Sequence, residues 1–200
     1  MKRISEMVDV IYVRQKEQLG LGHAILCAKE IVKGEPFAVI LPDDIILSKE
    51  PVTAQLIRQY ERVNGNVMSL MPINAQQAHR YGIVSIDSRL DDRLYKLSGM
   101  VEKPKDTALP SELAIIGRYI LTPDIIGILE KTRPESDNEI QLTDALHNSA
   151  KKGQAFGYEF EGKRFDCGDR AGLLEATMNF AVNNTELAPQ LKRIVSDLGI

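Results

Sequence analysis

The sequence predicts an α/β fold with a mixed, mainly parallel central sheet flanked by helices. The apolar run at residues 37–41 contains no polar side chain, which is typical of a strand buried on both faces in a parallel sheet. Predicted strands and helices alternate through the first third of the chain, and strand–helix–strand units favour parallel pairing with a right-handed crossover. Residues 82–101 instead form a predicted hairpin or meander, so the sheet is expected to be mixed.

The first predicted unit is a strand at residues 8–13, a loop, a helix at 23–32 and the strand at 37–41. Residues 8–13 are rich in β-branched and aromatic side chains, which favours a strand. The loop ends in Leu-Gly-Leu-Gly, where glycine allows close backbone approach. The helix ends at a Lys-Gly pair, and Pro42, which cannot donate to a ladder, ends the following strand.

The remaining elements follow from helical spacing, strand alternation and turn residues. A helix at residues 51–63 ends at Asn-Gly, and a strand at 66–71 comes next. Two strands at 82–86 and 94–101 flank a charged, solvated loop. The last predicted elements are a strand at 114–121, helices at 124–131 and 139–151, a strand at 155–160, a short strand or turn at 163–168, and helices at 170–183 and 186–198.

Length and composition limit the classes of protein that need to be considered. The 200 residues fit a single domain, with residues 170–200 as a C-terminal helical extension. A net charge of -3 gives no reason to expect nucleic acid as a partner. No apolar run approaches the roughly 20 residues that span a membrane, and no signal peptide is recognisable. Two cysteines, Cys27 and Cys167, are too few for a disulfide framework, so a cytoplasmic location is expected.

Charged side chains follow three predicted strands, as Asp43-Asp44, Glu102-Lys103 and Asp166. In open α/β sheets, ligands bind at the carboxyl ends of the strands. Two carboxylates that meet there can hold Mg²⁺, and a lysine supplies a compact charge for a phosphate. A solvated loop or a helix cap explains any one of these acids equally well. Because side chains alternate along a strand, only one of Asp43 and Asp44 is expected to be a direct metal ligand.

Seven short segments, spread over nearly the whole chain, carry a resemblance to a known family. They are RQKEQLGLGHA at 14–24, ILPDD at 40–44, YG at 81–82, VEKP at 101–104, IGRY at 116–119, EIQLTD at 139–144 and FDCG at 165–168. In these segments the sequence resembles the sugar-nucleotidyltransferase family, and within it the bacterial UTP–glucose-1-phosphate uridylyltransferases. Residues 14–24 and 139–144 favour the uridylyl branch over the thymidylyl branch.

The resemblance implies a Rossmann-like, GT-A-like nucleotidyltransferase fold and a reaction between UTP and glucose 1-phosphate that yields UDP-glucose and pyrophosphate. It implies Mg²⁺ as the cofactor, with Asp43 and Asp166 as ligands, and Lys103 as the catalytic and phosphate-binding residue. Phosphoryl transfer of this kind depends on positioning and charge neutralisation rather than on covalent chemistry. The family also implies a homo-oligomer, a dimer or a tetramer.

The same resemblance assigns the substrate contacts. Glu102 is expected to bind sugar hydroxyls, and Gly82 to lie against the hexose. Gln15 is expected to contact the uracil edge, while Gly20 lets the base lie against the backbone.

One departure from the family pattern stands out. The family begins with a strand and a Gly-x-Gly-Thr-Arg loop that cradles the triphosphate, and no such motif precedes Gln15. The sequence is therefore expected to be N-terminally truncated relative to the family, and the isolated 200-residue chain is expected to be weakly active or inactive. Two alternatives to the uridylyltransferase remain: a non-catalytic or regulatory homologue that lacks the triphosphate loop, and a pyrophosphorylase for another nucleotide or sugar.

Overall fold

The computed structural model describes residues 6–104, 108–134 and 138–199. The strands are β1 (Phe37–Ile40), β2 (Asp44–Leu47), β3 (Asn66–Pro72), β4 (Gly82–Arg89), β5 (Leu94–Glu102), β6 (Leu113–Leu121), β7 (Ala155–Glu159) and β8 (Lys163–Asp166). The α-helices are α1 (Gly20–Cys27), α2 (Lys29–Val32), α3 (Val52–Val63), α4 (Asp124–Leu129), α5 (Leu142–Lys151), α6 (Arg170–Val182) and α7 (Ala188–Leu198). A 3₁₀-helix at Ala75–Arg80 precedes β4.

The main sheet is mixed and has six strands in the order β1-β6-β3-β7-β5-β4. Among the described residues, β3 and β7 pair in parallel and the other pairings of this sheet are antiparallel. The mixed α/β sheet is therefore confirmed, while the expected predominance of parallel pairing is corrected. The central strand β3 is buried from Asn66 to Leu70, as expected for a strand with neighbours on both edges and helices on both faces.

Two predictions about the first unit were wrong. Residues 8–13 form no strand, and Tyr12 is 93% exposed, because no described strand lies beside this segment to pair with it. Strand β1 was expected to be parallel to its neighbours and buried on both faces. Among the strands of the described residues it pairs with β6 alone, in antiparallel orientation, and its residues alternate between half-buried and exposed. An apolar run is therefore an edge strand here, with Ile40 54% exposed.

Helices cover both faces of the main sheet. Helices α1, α4 and α5 pack with one buried cluster that includes Met68, Leu70 and Leu146. Helix α3 covers the opposite face, where Leu56 joins Val67 in a second cluster. The short strand β2 was not predicted. It pairs antiparallel to β8, with Asp44 opposite Asp166, and forms a separate two-stranded ribbon.

The C-terminal segment forms the two predicted helices. Helix α6 begins at Asp169, whose carboxylate accepts a hydrogen bond from the backbone N–H of Gly172, and it packs against β8. Helix α7 packs against α6. Within the described part of the chain, no helix has both the length and the apolar character required to cross a membrane.

Candidate active site

The strand ends converge on a cavity of about 390 Å³. The cavity is lined by the loop between β1 and β2, the start of β4, the end of β5, the middle of β6, the start of α5 and the end of β8. Five residues singled out from the sequence lie around this one cavity: Asp43, Gly82, Glu102, Lys103 and Asp166. The prediction that separate strand ends meet at one place is therefore confirmed.

Asp44 is held by a buried network rather than facing the cavity freely. Its carboxylate accepts hydrogen bonds from the backbone N–H of Gly117 at 2.8 Å and from the Arg164 guanidinium. The Arg164 and Asp44 side chains are only 10% and 8% exposed. Burial alone would lower the pKa of Arg164, but the charge of Asp44 and its hydrogen bond raise that pKa overall. Asp44 is thus committed to an internal ion pair.

Asp43 and Asp166 lie close to each other beside Gly168, at one end of the β2–β8 ribbon. The backbone N–H of Cys167 donates to the carbonyl oxygen of Asp43 at 2.7 Å, which fixes the two strand ends side by side. A Cβ atom placed on Gly168 would lie 3.1 Å from Asp166 Oδ1 and 3.6 Å from Asp43 Oδ2. Both carboxylates therefore point at the same small region, and glycine at position 168 keeps that region open.

The other carboxylate oxygen of Asp166 is held by two arginines. Arg80 Nη2 lies 2.6 Å from Asp166 Oδ2, and Arg164 Nη2 lies 3.3 Å from the same oxygen. Arg164 also donates to the Tyr81 hydroxyl at 2.8 Å. With Oδ2 held in this way, Oδ1 is the Asp166 oxygen next to Gly168, whose backbone N–H donates to it at 3.2 Å.

Glu102 and Lys103 line the cavity at the end of β5. The backbone N–H of Lys103 donates to the Tyr81 carbonyl at 3.0 Å, and Lys103 has a φ of 42°. A left-handed conformation is uncommon for a residue with a side chain and occurs often at functional sites. The Lys103 ammonium is 3.9 Å from Glu102 Oε1 and the side chain is 60% exposed, so it is available to a ligand in the cavity.

Gln15 lies in the loop before α1 and Gly20 is the first residue of that helix; Leu21 lines the cavity, but Gln15 and Gly20 do not. Gln15 Nε2 donates to the carbonyl of Gly20 at 3.0 Å and lies 2.9 Å from His23 Nδ1. Gly20 has a φ of 85°, and a Cβ atom there would lie 2.9 Å from the Ile140 carbonyl oxygen. Both the positive φ and the close packing against Ile140 therefore require glycine at position 20, independently of any approach of a ligand.

Several residues around the cavity were missed by the sequence analysis. Arg80, Tyr81, Arg164, Tyr119 and Thr143 all line it. Arg164 is two residues before Asp166 on a strand, so alternation would have placed both side chains on one face. Thr143 lies inside the specific segment at residues 139–144. Tyr119 is buried at the cavity floor, and burial raises its pKa above the ordinary tyrosine value. Tyr119 lies in the resembling segment at residues 116–119, as Tyr81 lies in the segment at 81–82, but the resemblance assigned neither a role. Nothing in the local sequence marks Arg80.

This combination of a mixed α/β sheet, paired carboxylates and a facing glutamate–lysine pair defines a class of phosphoryl-transferring enzymes. The chain belongs to the nucleotidyl transferase family, whose sequence pattern matches residues 1–183. Nucleotidyltransferases of this family generally use a divalent metal ion.

Within the family, the chain is similar to uridylyltransferases. It is 41% identical over 196 residues to the UTP–glucose-1-phosphate uridylyltransferase of Staphylococcus epidermidis, a match that covers 98% of this chain and 68% of that protein. The corresponding protein of Bacillus subtilis is 40% identical over 190 residues, covering 95% of this chain and 65% of the relative. The resemblance inferred from the motifs is therefore confirmed.

Solved structures agree with the sequence relatives. A UDP-glucose pyrophosphorylase complexed with UDP-glucose superposes with a TM-score of 0.86 at 40% identity, covering 92% of this chain and 70% of that one. A UTP-bound enzyme from Acinetobacter baumannii gives a TM-score of 0.86 at 32% identity, covering 98% of this chain and 70% of that one. The predicted nucleotidyltransferase fold is confirmed by these matches.

Proposed function

We propose that this protein transfers a uridylyl group from UTP to glucose 1-phosphate, with Mg²⁺, and that the cavity is the sugar and metal half of the active site. The observation that carries the proposal is that Asp43, Asp166, Glu102 and Lys103 line one cavity, with the Asp43 and Asp166 carboxylates both close to Gly168. The relatives that act on UTP and glucose 1-phosphate support the choice of substrates.

The carboxylates fit a divalent cation. Asp43 Oδ2 and Asp166 Oδ1 both lie near the space above Gly168, and hard oxygen ligands suit Mg²⁺. Within the described ranges no cluster of three or more His, Cys, Asp or Glu side chains could hold a metal. Two protein carboxylates would leave the remaining positions to water and substrate phosphates, which is the usual pattern for Mg²⁺ in phosphoryl-transfer sites. When bound, the ion would offset negative charge on the phosphates.

The reaction then needs the substrates to be aligned and their charge to be offset. A phosphate oxygen of glucose 1-phosphate forms a bond to the α-phosphorus of UTP, and the bond between that phosphorus and the α–β bridging oxygen breaks, releasing pyrophosphate. Lys103 would place its ammonium against the phosphate oxygens, where charge is concentrated in the transition state. Its exposed position at the mouth of the cavity supports this role.

The sugar would lie against Gly82 and Glu102. Gly82 is buried and carries no side chain, so a hexose ring can approach the backbone of β4. Glu102 presents a carboxylate, the group that accepts hydrogen bonds from sugar hydroxyls. Gln15, in the loop next to Leu21 of the cavity wall, is proposed to meet the uracil edge, with Gly20 against the base.

The cellular location, the oligomeric state and the domain organisation are part of the same proposal. Cys27 and Cys167 are both free, which agrees with a cytoplasmic enzyme in a reducing compartment. A homo-oligomer, a dimer or a tetramer, is proposed from the family resemblance. Residues 1–200 are proposed to form one nucleotidyltransferase domain, with the helices after residue 170 as its extension.

Calorimetric titration tests the substrate assignment. The purified protein is titrated with UDP-glucose, UDP and dTDP-glucose in buffer that contains Mg²⁺. We expect UDP-glucose to bind at least about tenfold more tightly than UDP, because the sugar adds contacts to Glu102 and Gly82. Tighter binding of dTDP-glucose would instead assign a different nucleotide, and equal binding of UDP and UDP-glucose would contradict the proposed sugar site.

A further inference from the structure

The segment at residues 139–144 is specific to the family pattern, yet no role has so far been assigned to it. It lies between the loop proposed to bind the base and the sugar side of the cavity. The backbone N–H of Ile140 donates to the Leu19 carbonyl at 2.8 Å, and the N–H of Gly22 donates to the Ile140 carbonyl at 2.9 Å. Two residues further on, α5 begins, and Thr143 lies in its first turn.

Thr143 contacts one of the two oxygens of the Glu102 carboxylate. The Thr143 hydroxyl donates to Glu102 Oε2 at 2.6 Å, a length typical of a charge-assisted hydrogen bond. The other oxygen, Oε1, is the one that lies 3.9 Å from the Lys103 ammonium. Thr143 and Glu102 are separated by 41 positions in sequence, so this contact depends on the packing of α5 against β5.

Gly82 provides the space for this contact. A Cβ atom on Gly82 would lie 3.1 Å from Glu102 Oε2 and 3.4 Å from Thr143 Oγ1. Glycine at this position therefore lets the carboxylate and the hydroxyl meet beside the β4 backbone, at the place where the hexose is proposed to bind.

We propose that Thr143 is a positioning residue that holds the Glu102 carboxylate in one orientation, so that Oε1 accepts hydrogen bonds from the sugar. The proposal rests on the proposed function, because it names the device that orients the sugar-binding carboxylate. A carboxylate fixed before binding loses less conformational entropy when the sugar arrives. Because α5 follows directly on the segment bonded to Leu19 and Gly22, the same stretch of chain supports the base loop and the sugar site.

Two substitutions of Thr143 separate the effect of its hydrogen bond from the effect of its side-chain shape. Thr143→Val keeps the shape of the side chain and removes the donor, while Thr143→Ser keeps the donor. The readout is the ratio of the dissociation constants for UDP and UDP-glucose, which isolates the sugar contribution. We expect Thr143→Val to reduce this ratio about tenfold with UDP binding unchanged, and Thr143→Ser to stay within about twofold of the unsubstituted protein.

A double-substitution cycle with Glu102→Ala tests whether Thr143 acts through Glu102. If it does, adding Thr143→Val to Glu102→Ala produces no further change in the ratio. Additive effects of the two substitutions would overturn the proposal, as would equal losses with Val and Ser. Thermal melting of each variant checks that the fold is kept, and a loss of UDP binding in Thr143→Val would show a merely structural role.

The unsubstituted protein distinguishes failure of the inference from failure of the proposed function. If it binds UDP-glucose more tightly than UDP while Thr143→Val behaves identically, only the positioning role of Thr143 is contradicted. If it binds UDP-glucose no more tightly than UDP, the sugar site itself is contradicted, and so is the positioning role of Thr143.

Discussion

Arg164 pairs with Asp44 in the wall of the cavity, and the pair has little contact with solvent: the two side chains are 10% and 8% exposed. This pair indicates which of the two neighbouring acids after β1 has a carboxylate available to a ligand. Asp44 is neutralised internally and also accepts from the Gly117 backbone, so Asp43 is the acid whose carboxylate faces Asp166 near Gly168. Arg164 reaches Asp166 as well, which links the internal pair to the proposed metal ligands.

Removing Arg164 is expected to destabilise the fold strongly. Arg164→Met leaves the Asp44 carboxylate buried without its partner, and such a change costs about 3–5 kcal/mol. Equilibrium unfolding in urea measures the difference in the free energy of unfolding. Lys29→Met, which removes an exposed ion pair with Glu130, is the matched control and is expected to change stability far less. Similar losses in the two variants would contradict the structural role given to the buried pair.

The two neighbouring acids are expected to respond differently to amidation. Asp43→Asn and Asp166→Asn remove proposed metal ligands and are expected to weaken Mn²⁺ binding, followed by electron paramagnetic resonance, at least about tenfold with little change in melting temperature. Asp44→Asn is expected to lower the melting temperature, because it removes the charge that faces Arg164.

Asp87→Asn, at an exposed position of β4, serves as the control for these three variants. Metal binding that survives Asp43→Asn but is lost on Asp44→Asn, without loss of fold, would reverse the assignment of the two acids.

Lys103 is expected to matter for turnover and not for folding. Lys103→Met removes the ammonium proposed to offset phosphate charge, and loss of one such group typically lowers kcat by about a hundredfold or more. Its side chain is largely exposed, so the melting temperature should change little. Pyrophosphate release is the assay, and Lys192→Met on α7 is the matched lysine control. Turnover by Lys103→Met close to that of Lys192→Met would remove Lys103 from the mechanism.

The charged loop before β5 gives a prediction about pH. The backbone N–H groups of Arg93 and Leu94 donate to the Asp91 carboxylate, and Arg62 lies 2.8 Å from it. The hydrogen bond from Arg93 is the largest of the influences that lower the pKa of Asp91 below its ordinary value, against a smaller opposing effect of burial. The folded state therefore favours the ionised carboxylate.

The sign of the effect follows from linkage. The stabilisation from Asp91 is present above the pKa of the unfolded chain and is lost as pH falls through the lower pKa of the folded state. An NMR titration of the Asp91 carboxyl carbon should therefore give a midpoint below that of an unstructured aspartate. A midpoint at or above that reference would contradict the hydrogen bonding of this loop.

The sequence predicted the grouping of charged residues better than it predicted the first strands. Asp43, Glu102, Lys103 and Asp166 line one cavity, as expected for charged groups that follow strand ends, while their roles were implied by the family resemblance and stay a proposal. The strand predicted at residues 8–13 is absent because β-branched composition indicates a preference for extended backbone and not the presence of a neighbouring strand. For the same reason, the apolar run at β1 could not show whether strands lie on both of its edges.

The supporting residues of the site could not be found from local pattern. Alternation indicated that Asp43 and Asp44 diverge, but Asp44 is neutralised by Arg164, a residue 120 positions away, and only the tertiary fold shows this. The hydrogen bond between Thr143 and Glu102 and the contact of Arg80 with Asp166 are also long-range. These residues orient the groups that were predicted, and orientation depends on packing.

The most direct test of the account is product formation by the purified protein. The protein is incubated with UTP, glucose 1-phosphate and Mg²⁺, and UDP-glucose and pyrophosphate are measured against a parallel reaction with excess EDTA. Because the cavity is proposed to supply the sugar and metal half of the active site, we expect slow turnover: equal amounts of the two products, formed only with the metal, and formed faster with UTP than with dTTP or ATP. The absence of UDP-glucose with Mg²⁺ present, from protein that still binds UDP-glucose, would contradict uridylyl transfer and support a non-catalytic homologue.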